Sequence, residues 1–501
     1  MLPRRLLPQD EVAQDFSGES VSAVISLSAA HNTTRTRLAG LWVLATGLAV
    51  FLTLALLLAT TGSLTLALAL PGFLLAAIAT IWLLASPTVS LLVAVVGFVF
   101  VANNEEGFQI AEIAYAAYLY ATLSIWYARN AIIRRQRLVA SAGDLSLALF
   151  FVLIPFTLIL TGSFGGNFRV ATSEIISLSM LLVYFPVKHT VVSHRHGPKL
   201  LLITVVILGV CVAVLNALNY ASDLTGAQAL WQISGSRVVV NDCLLLTGSL
   251  TSLTLLIYEQ RKLPLFLYTI AFTLSASGLV VTQTRGFWLA FVLGFIALLI
   301  LIHTRQRTRL LVASVLVSGA LLGVGYILIG PFLFLVIGGL AERFASMATA
   351  VTNDLSLVNR FRESWVVLQQ IGMNPLIGFG PGVSYQFYDI VHQSTHYDSF
   401  VHNGYIGLWY KYGIVGLGLV LWFWISAIKQ GIGAFRIENA DQWTRLAGLA
   451  GALPLMGITV STLTQNPFFL KNYVFIIAVC AGLAVGAWQR PKPAHSKTRG
   501  Q

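Results

Sequence analysis

Apolar runs long enough to cross a bilayer recur from position 38 almost to the C-terminus, and no other feature restricts the fold so strongly. A helix needs about 20 predominantly apolar residues to cross the hydrocarbon core, where every backbone polar group must be satisfied inside the protein. Fourteen such segments can be marked, at about 39–60, 66–85, 88–103, 111–128, 145–161, 174–188, 199–218, 243–258, 264–282, 286–303, 309–330, 403–428, 446–463 and 472–488. Composition agrees, since only 10% of the 501 residues are charged and 57% are hydrophobic, against roughly 25% charged in a soluble domain. The expected fold class is an all-α polytopic membrane protein with about 12–14 transmembrane helices and one long extracytoplasmic loop carrying short helices.

Residues 1–37 are polar and mixed in charge, without the apolar core or small-residue cleavage site of a signal peptide, and read as a disordered cytoplasmic tail. Residues 38–330 form a transmembrane bundle, 331–402 an extracytoplasmic loop, 403–490 the C-terminal transmembrane helices and 491–501 a basic cytoplasmic tail. Cys211, Cys243 and Cys480 lie in or beside apolar segments, far apart, and fit neither a disulfide framework nor a zinc spacing.

The net charge of +12 would point to nucleic acid in a soluble chain, but here its distribution carries the information. With the N-terminus inside, the inward segments collect "RNAIIRRQR", "KHTVVSHRHGPK", "EQRK", "RQRTR", the 429–445 loop and the C-terminal "RPKPAHSKTRG". Of the 31 Lys and Arg, only Arg169, Arg237, Arg285, Arg343, Arg360, Arg362, Lys411 and Lys471 fall outside. Basic residues are retained on the cytoplasmic side during insertion, so this asymmetry orients both termini inward.

One connection breaks the pattern of short loops. Residues 331–402 would lie outside, and a connection that long in a compact bundle is usually functional or disordered. Helical spacing of Leu357, Phe361, Trp365, Leu368 and Ile371, stopped by Asn374-Pro375, predicts a short amphipathic helix over 356–373, on the outer surface near the lipid interface. No matched pair of broken segments indicates the inverted repeats of a transporter.

The polar chemistry collects on this outer side. Arg285, at the outer end of a span in "TQTRGFWLAF", runs against the insertion rule and either snorkels or faces a partner. Arg360 and Arg362 in "NRFRESW" either solvate an exposed helix or, with Arg285, offer guanidinium forks to a phosphate or pyrophosphate. In "NPLIGFGPG", 374–382, glycines such as Gly380 either meet a demand for positive φ or expose N–H groups to an anion. His402 precedes Asn403, a candidate N-cap, and either acts as a base, since the positive end of a helix dipole disfavours imidazolium, or is a histidine hydrogen-bonded in a loop. Lys411 either snorkels or lines a cavity. His392 and His396, four apart, could meet on one helix face with Asp389 or Asp398 as a further ligand, but a polar interfacial loop explains them as well and no metal is assigned.

Taken in order, "TRGFWLAF", "NRFRESW", "NPLIGFGPG" and "HNGYIGLWYKYGIVGL" resemble the shared core of the bacterial O-antigen ligase and O-antigen polymerase family, over roughly residues 270 to 425. Counting back from Pro375 aligns the family's arginine with Arg360 and leaves Arg362 in reserve. The resemblance implies a multi-pass inner-membrane enzyme of lipopolysaccharide or exopolysaccharide synthesis. Such an enzyme takes a glycan from an undecaprenyl pyrophosphate-linked donor and attaches it at the periplasmic face to a sugar hydroxyl, on lipid A core or on another glycan. It implies no cofactor, nucleotide sugar or metal. His402, Arg285 and Arg360 would be catalytic, and Arg362, Asn403, Lys411 and Gly380 would bind pyrophosphate or glycan. A lipid-linked oligosaccharide flippase is the reading from another class. Arginines converging with His402 at the outer rim would favour transfer, and charges strung through a central cavity would favour transport.

Overall fold

The computed structural model describes residues 87–101, 110–226, 241–329, 338 and 355–491. The expected tails, the segments at 39–60 and 66–85, and nearly all of 330–354 lie outside the described residues. The chain divides into two compact units, Met1–Val89 and Ser90–Gln501, and the site lies in the second.

The twelve remaining apolar segments are all helical. In chain order the helices are α1 (Pro87–Val101), α2 (Ile110–Tyr127), α3 (Ala142–Ser163), α4 (Phe168–Ser179), α5 (Tyr184–Ser193), α6 (Gly197–Gly226), α7 (Asp242–Tyr258), α8 (Lys262–Val281), α9 (Arg285–Leu301), α10 (Thr304–Ile329), α11 (Leu355–Ile371), α12 (Gly404–Arg436), α13 (Gln442–Ser461) and α14 (Lys471–Gln489). The segment expected at 174–188 is two helices, α4 and α5, joined by the 3-10 turn Met180–Val183 into one apolar stretch, Phe168–Ser193. Among the described residues seven stretches are long and apolar enough to span a membrane, and shorter apolar helices include Asp242–Tyr258 and Arg285–Leu301. The protein is thus a multi-pass, all-α membrane protein. Its one small sheet pairs β1 (Tyr385–Asp389) antiparallel with β2 (Ser394–Asp398), with Tyr385 opposite Asp398 and Phe387 opposite His396.

α7 and α14 are buried along nearly their whole length and form the centre. Lipid tails are as apolar as leucine, so helices in a membrane associate through close packing, which small residues allow. Gly209 of α6 and Gly248 of α7 show this: a Cβ on Gly209 would lie 3.0 Å from the Cα of Gly248. Gly451 of α13 likewise leaves room for the Cys480 carbonyl of α14, 2.4 Å from where its Cβ would stand. The outward faces, in contrast, expose Phe156, Ile159, Ile207, Phe266 and Ile300, as lipid contact requires.

The basic turns gather at one end. Arg490, after α14, donates to the Arg195 carbonyl in the α5–α6 turn, and Lys199 sits 5.3 Å from the Trp443 ring. Gln442 donates to the Tyr258 carbonyl, and Arg309 to the carbonyls of Ile257 and Glu259. Glu259 lies against Arg261, whose guanidinium holds its carboxyl down to about 2. The opposite ends of α9, α12 and α13 carry Arg285, Gly404 and Ser461, and there the outer elements assemble.

Candidate functional site

α11 shows how the outer elements are set. Glu363, Ser364, Val367 and Ile371 are its buried residues, on one face at a period of 3.6. Phe361 and Trp365, two of the helically spaced apolar residues, are 51% and 64% exposed. With Met373, Leu376 and Ile377 they make an exposed apolar surface. The expected amphipathic helix therefore exists, with Ile371 packed inward beside Glu363 and with Phe361 and Trp365 on its exposed side.

Beneath that face lies a second small core, made of Val367, Ile371, Phe379, Val383, Tyr385, Phe387, Val401 and Tyr410. It joins α11, the glycine segment, the hairpin and the start of α12, and so fixes Glu363 relative to His402. His402 Nδ1 lies 2.8 Å from Glu363 Oε2. Glu363 Oε1 accepts from the Tyr385 hydroxyl and from the His402 backbone N–H at 3.4 Å. Burial, reinforced by the Glu363 charge, pushes the Tyr385 phenol up, so it remains a donor. A carboxylate only accepts, so Nδ1 is the donor in this contact, and in the neutral ring Nε2 is the nitrogen with the lone pair. No hydrogen bond engages Nε2 among the described residues. The imidazole is 39% exposed and the carboxylate 2%: the pair is held from within and open on the reactive side.

Asn403 is the N-cap of α12, its side chain accepting from the N–H groups of Tyr405 and Ile406, both at 3.1 Å. That is the capping role its position announced. Asn403 thus starts α12 directly after His402, with its side-chain oxygen committed to the helix.

The turn after α13 is the hub. Gly404 N–H donates to the Thr462 carbonyl at 2.9 Å, and Asn466 donates to the Val401 carbonyl at 2.8 Å, anchoring the His402 segment from both sides. Arg360 Nη1 donates to the Thr464 carbonyl at 2.8 Å. Gly286, next to Arg285 in the first turn of α9, would place a Cβ 3.3 Å from Thr464 Oγ1. The start of α9, the inward face of α11 and the His402 segment therefore meet on one turn, at one end of the bundle. Arg362 is two positions from Arg360 and faces outward, its guanidinium 5.4 Å from the Tyr388 ring centroid.

Gly380 and Lys411 are joined to each other. α12 is broken at Gly413, whose φ of 66° leaves helical geometry. A break strands carbonyls and N–H groups that the helix would have paired. The "NPLIGFGPG" segment supplies them: Phe379 N–H donates to the Tyr410 carbonyl at 2.9 Å, Gly380 N–H to Lys411 at 3.0 Å, and Ile414 N–H to Pro375 at 2.9 Å. Gly380, at φ 94°, also passes so close to α3 that a Cβ would lie 2.6 Å from the Thr157 carbonyl. Its N–H is committed to Lys411, and the N–H of Gly382 to Glu174 at 3.0 Å. The glycines answer a demand for positive φ and close approach.

Lys411 is fully buried, its Nζ 2.7 Å from Glu174 Oε1 of α4. The pair ties the segment to the bundle, and Glu174, which binds both Lys411 and Gly382, carries no signal in the sequence, nor does Thr464, while Glu363 reads there only as a solvated neighbour of Arg360 and Arg362. His392 and His396 are on the hairpin, not on one helix face. β1 and β2 pair through the segment that a helical reading would need.

A multi-pass helical membrane protein with a buried carboxylate, an exposed imidazole and two arginine-bearing elements at one rim defines the class. Residues 270–423 match the family model described as O-antigen ligase, and this segment is similar to that family. The match spans α9, α11, the glycine segment, the hairpin and most of α12, and the site is completed by the turn after α13, which lies outside it. No curated protein matches the chain.

Proposed function

We propose that the protein is a membrane glycan transferase of the O-antigen ligase type, moving a glycan from undecaprenyl pyrophosphate to a sugar hydroxyl at the periplasmic face. The observation that carries this reading is the convergence of His402, Arg360 and the start of α9 on the Thr464 turn. A transporter would need its charges along a central path. Among the described residues two pairs in the bundle, Lys411 with Glu174 and Lys188 with Asp144, are joined at 2.7 and 2.8 Å, and the buried Asp242 accepts from the Cys243 N–H at 2.9 Å.

In this mechanism the acceptor oxygen attacks the anomeric carbon in line as the bond from that carbon to the pyrophosphate oxygen breaks. The bonding pair leaves with undecaprenyl pyrophosphate, and the acceptor proton passes to His402 Nε2. Glu363 holds the ring by Nδ1 and balances the imidazolium that forms, as a buried carboxylate does beside a catalytic imidazole. Arg285 and Arg360 bind the pyrophosphate and stabilise its growing charge. Asn403, Lys411 and Gly380 act by setting the backbone that carries His402. The polyprenyl chain has an apolar groove of about 220 Å³ between α6 and α8, lined by Ala213, Ala217, Leu274 and Val281. Val281 ends α8, just before the turn that leads to Arg285.

The test is incubation of purified protein with undecaprenyl pyrophosphate-linked oligosaccharide, with and without lipid A core, following products by gel. Transfer to the core supports a ligase, and a ladder of longer glycans without core marks the polymerase of the same family. No transfer in either reaction, by correctly inserted protein, overturns the proposal.

A further inference from the structure

We propose that the tip of the β1–β2 hairpin binds a divalent transition-metal cation through Asp389, His392 and His396. Each residue offers one ligand atom, and the three atoms lie within 4.8 Å of one another. Donors on a tetrahedral cation with bonds of about 2.0 to 2.1 Å stand roughly 3.4 Å apart, so closure asks only for small rotations of side chains. His392 is 69% exposed and free to make them.

The carboxylate is already oriented for the task. Asp389 Oδ1 accepts from Val391 N–H at 2.7 Å, His392 N–H at 3.2 Å and Asn359 Nδ2 at 3.0 Å. That leaves Oδ2 as the outward oxygen, 2.7 Å from His392 Nδ1. The tip is also pinned to α11, since Asn359 Oδ1 accepts the Ile390 N–H at 3.0 Å. His396 has one ring nitrogen 2.8 Å from Ser394 Oγ. Such partners of the ligands, by fixing their orientation, distinguish a binding site from exposed side chains that happen to be near. The rings of His392 and His396 stand 5.7 Å apart at 66°.

Two imidazoles and one carboxylate suit Zn²⁺, Ni²⁺ or Cu²⁺, whereas Mg²⁺ and Ca²⁺ prefer oxygen alone. Exposure leaves further positions to water. Because Asn359 directly precedes Arg360, an occupied tip would hold the first turns of α11 in place. The cation lies outside the transfer chemistry, and the site stands or falls independently of it.

Zn²⁺ titration of the purified full-length protein, with bound metal counted after dialysis, tests the assignment. One Zn²⁺ per chain is expected, with affinity at least about tenfold lower in His392→Ala or His396→Ala and the site lost in the double variant, while excess Mg²⁺ does not compete. Both side chains are exposed, so the variants keep the fold. Unchanged affinity and stoichiometry in the double variant, or no Zn²⁺ on the wild-type protein, would overturn the proposal.

Discussion

At the scale of single residues, the site rests on a division of labour that spacing alone does not reveal. His402 stood out in the sequence because histidines are rare in an apolar chain and because Asn403 marked a helix start. Glu363 did not, since a glutamate beside two arginines in "NRFRESW" reads as a solvated partner for them. Its burial against His402 comes from the hairpin and glycine segment packing under α11. Glu363→Gln keeps the shape and removes the charge that steadies imidazolium. Transfer is expected to fall on the order of 10²-fold, with His402→Ala losing about 10² to 10⁴-fold. A Glu363→Gln enzyme as fast as wild type in the oligosaccharide assay would sink the dyad. The two arginines separate in the same way. Arg360 shares the Thr464 turn with the His402 segment and Arg362 lies over Tyr388, so Arg360→Ala should abolish transfer while Arg362→Ala leaves most of it. Comparable losses in both variants would contradict the assignment.

Among elements, the informative one is α12, because its break and the glycine segment complete each other. Each of the three backbone hydrogen bonds across the break would cost about 1–3 kcal/mol if left unmade. "NPLIGFGPG" and the glycine of "YKYG" are thus two halves of one structure, which is why they belong to one motif set. Gly413→Ala would drive a Cβ to 2.1 Å from the Leu376 carbonyl at a φ of 66°. The variant should lose several kcal/mol, seen as a lower unfolding temperature in detergent. Lys411→Met strands the Glu174 carboxylate in the protein and should cost about 3–5 kcal/mol, whereas Lys411→Met with Glu174→Gln should recover much of it. A double variant no more stable than the single one would show that the pair is not coupled.

Across the whole molecule, the basic turns and the His402 rim occupy opposite ends of the helices, and under the proposed function the positive-inside rule would put the rim outside. In a Cys211→Ala background, with Cys243 and Cys480 buried, Tyr397→Cys on the hairpin should react with an impermeant maleimide on intact cells. Gln260→Cys, in a basic turn, should react only after the membrane is opened. The reverse pattern would invert the topology and remove the periplasmic site. Span positions, charge asymmetry and the helix over 355–371 were legible in the sequence because hydrocarbon thickness, insertion bias and helical period act along the chain itself. The hairpin was not, since its residues read equally as loop. Nor was the outward turn of Phe361 and Trp365, because in a membrane protein apolar residues are stable on either face. The sequence by itself determined a multi-pass helical bundle and singled out His402, Arg285 and Arg360 as candidates. Only the tertiary structure decided that Asp389, His392 and His396 meet on a hairpin and not on a helix face, that Glu363 is the partner of His402, and that Gly380 and Lys411 repair a broken helix, the last two being contacts between segments distant in sequence.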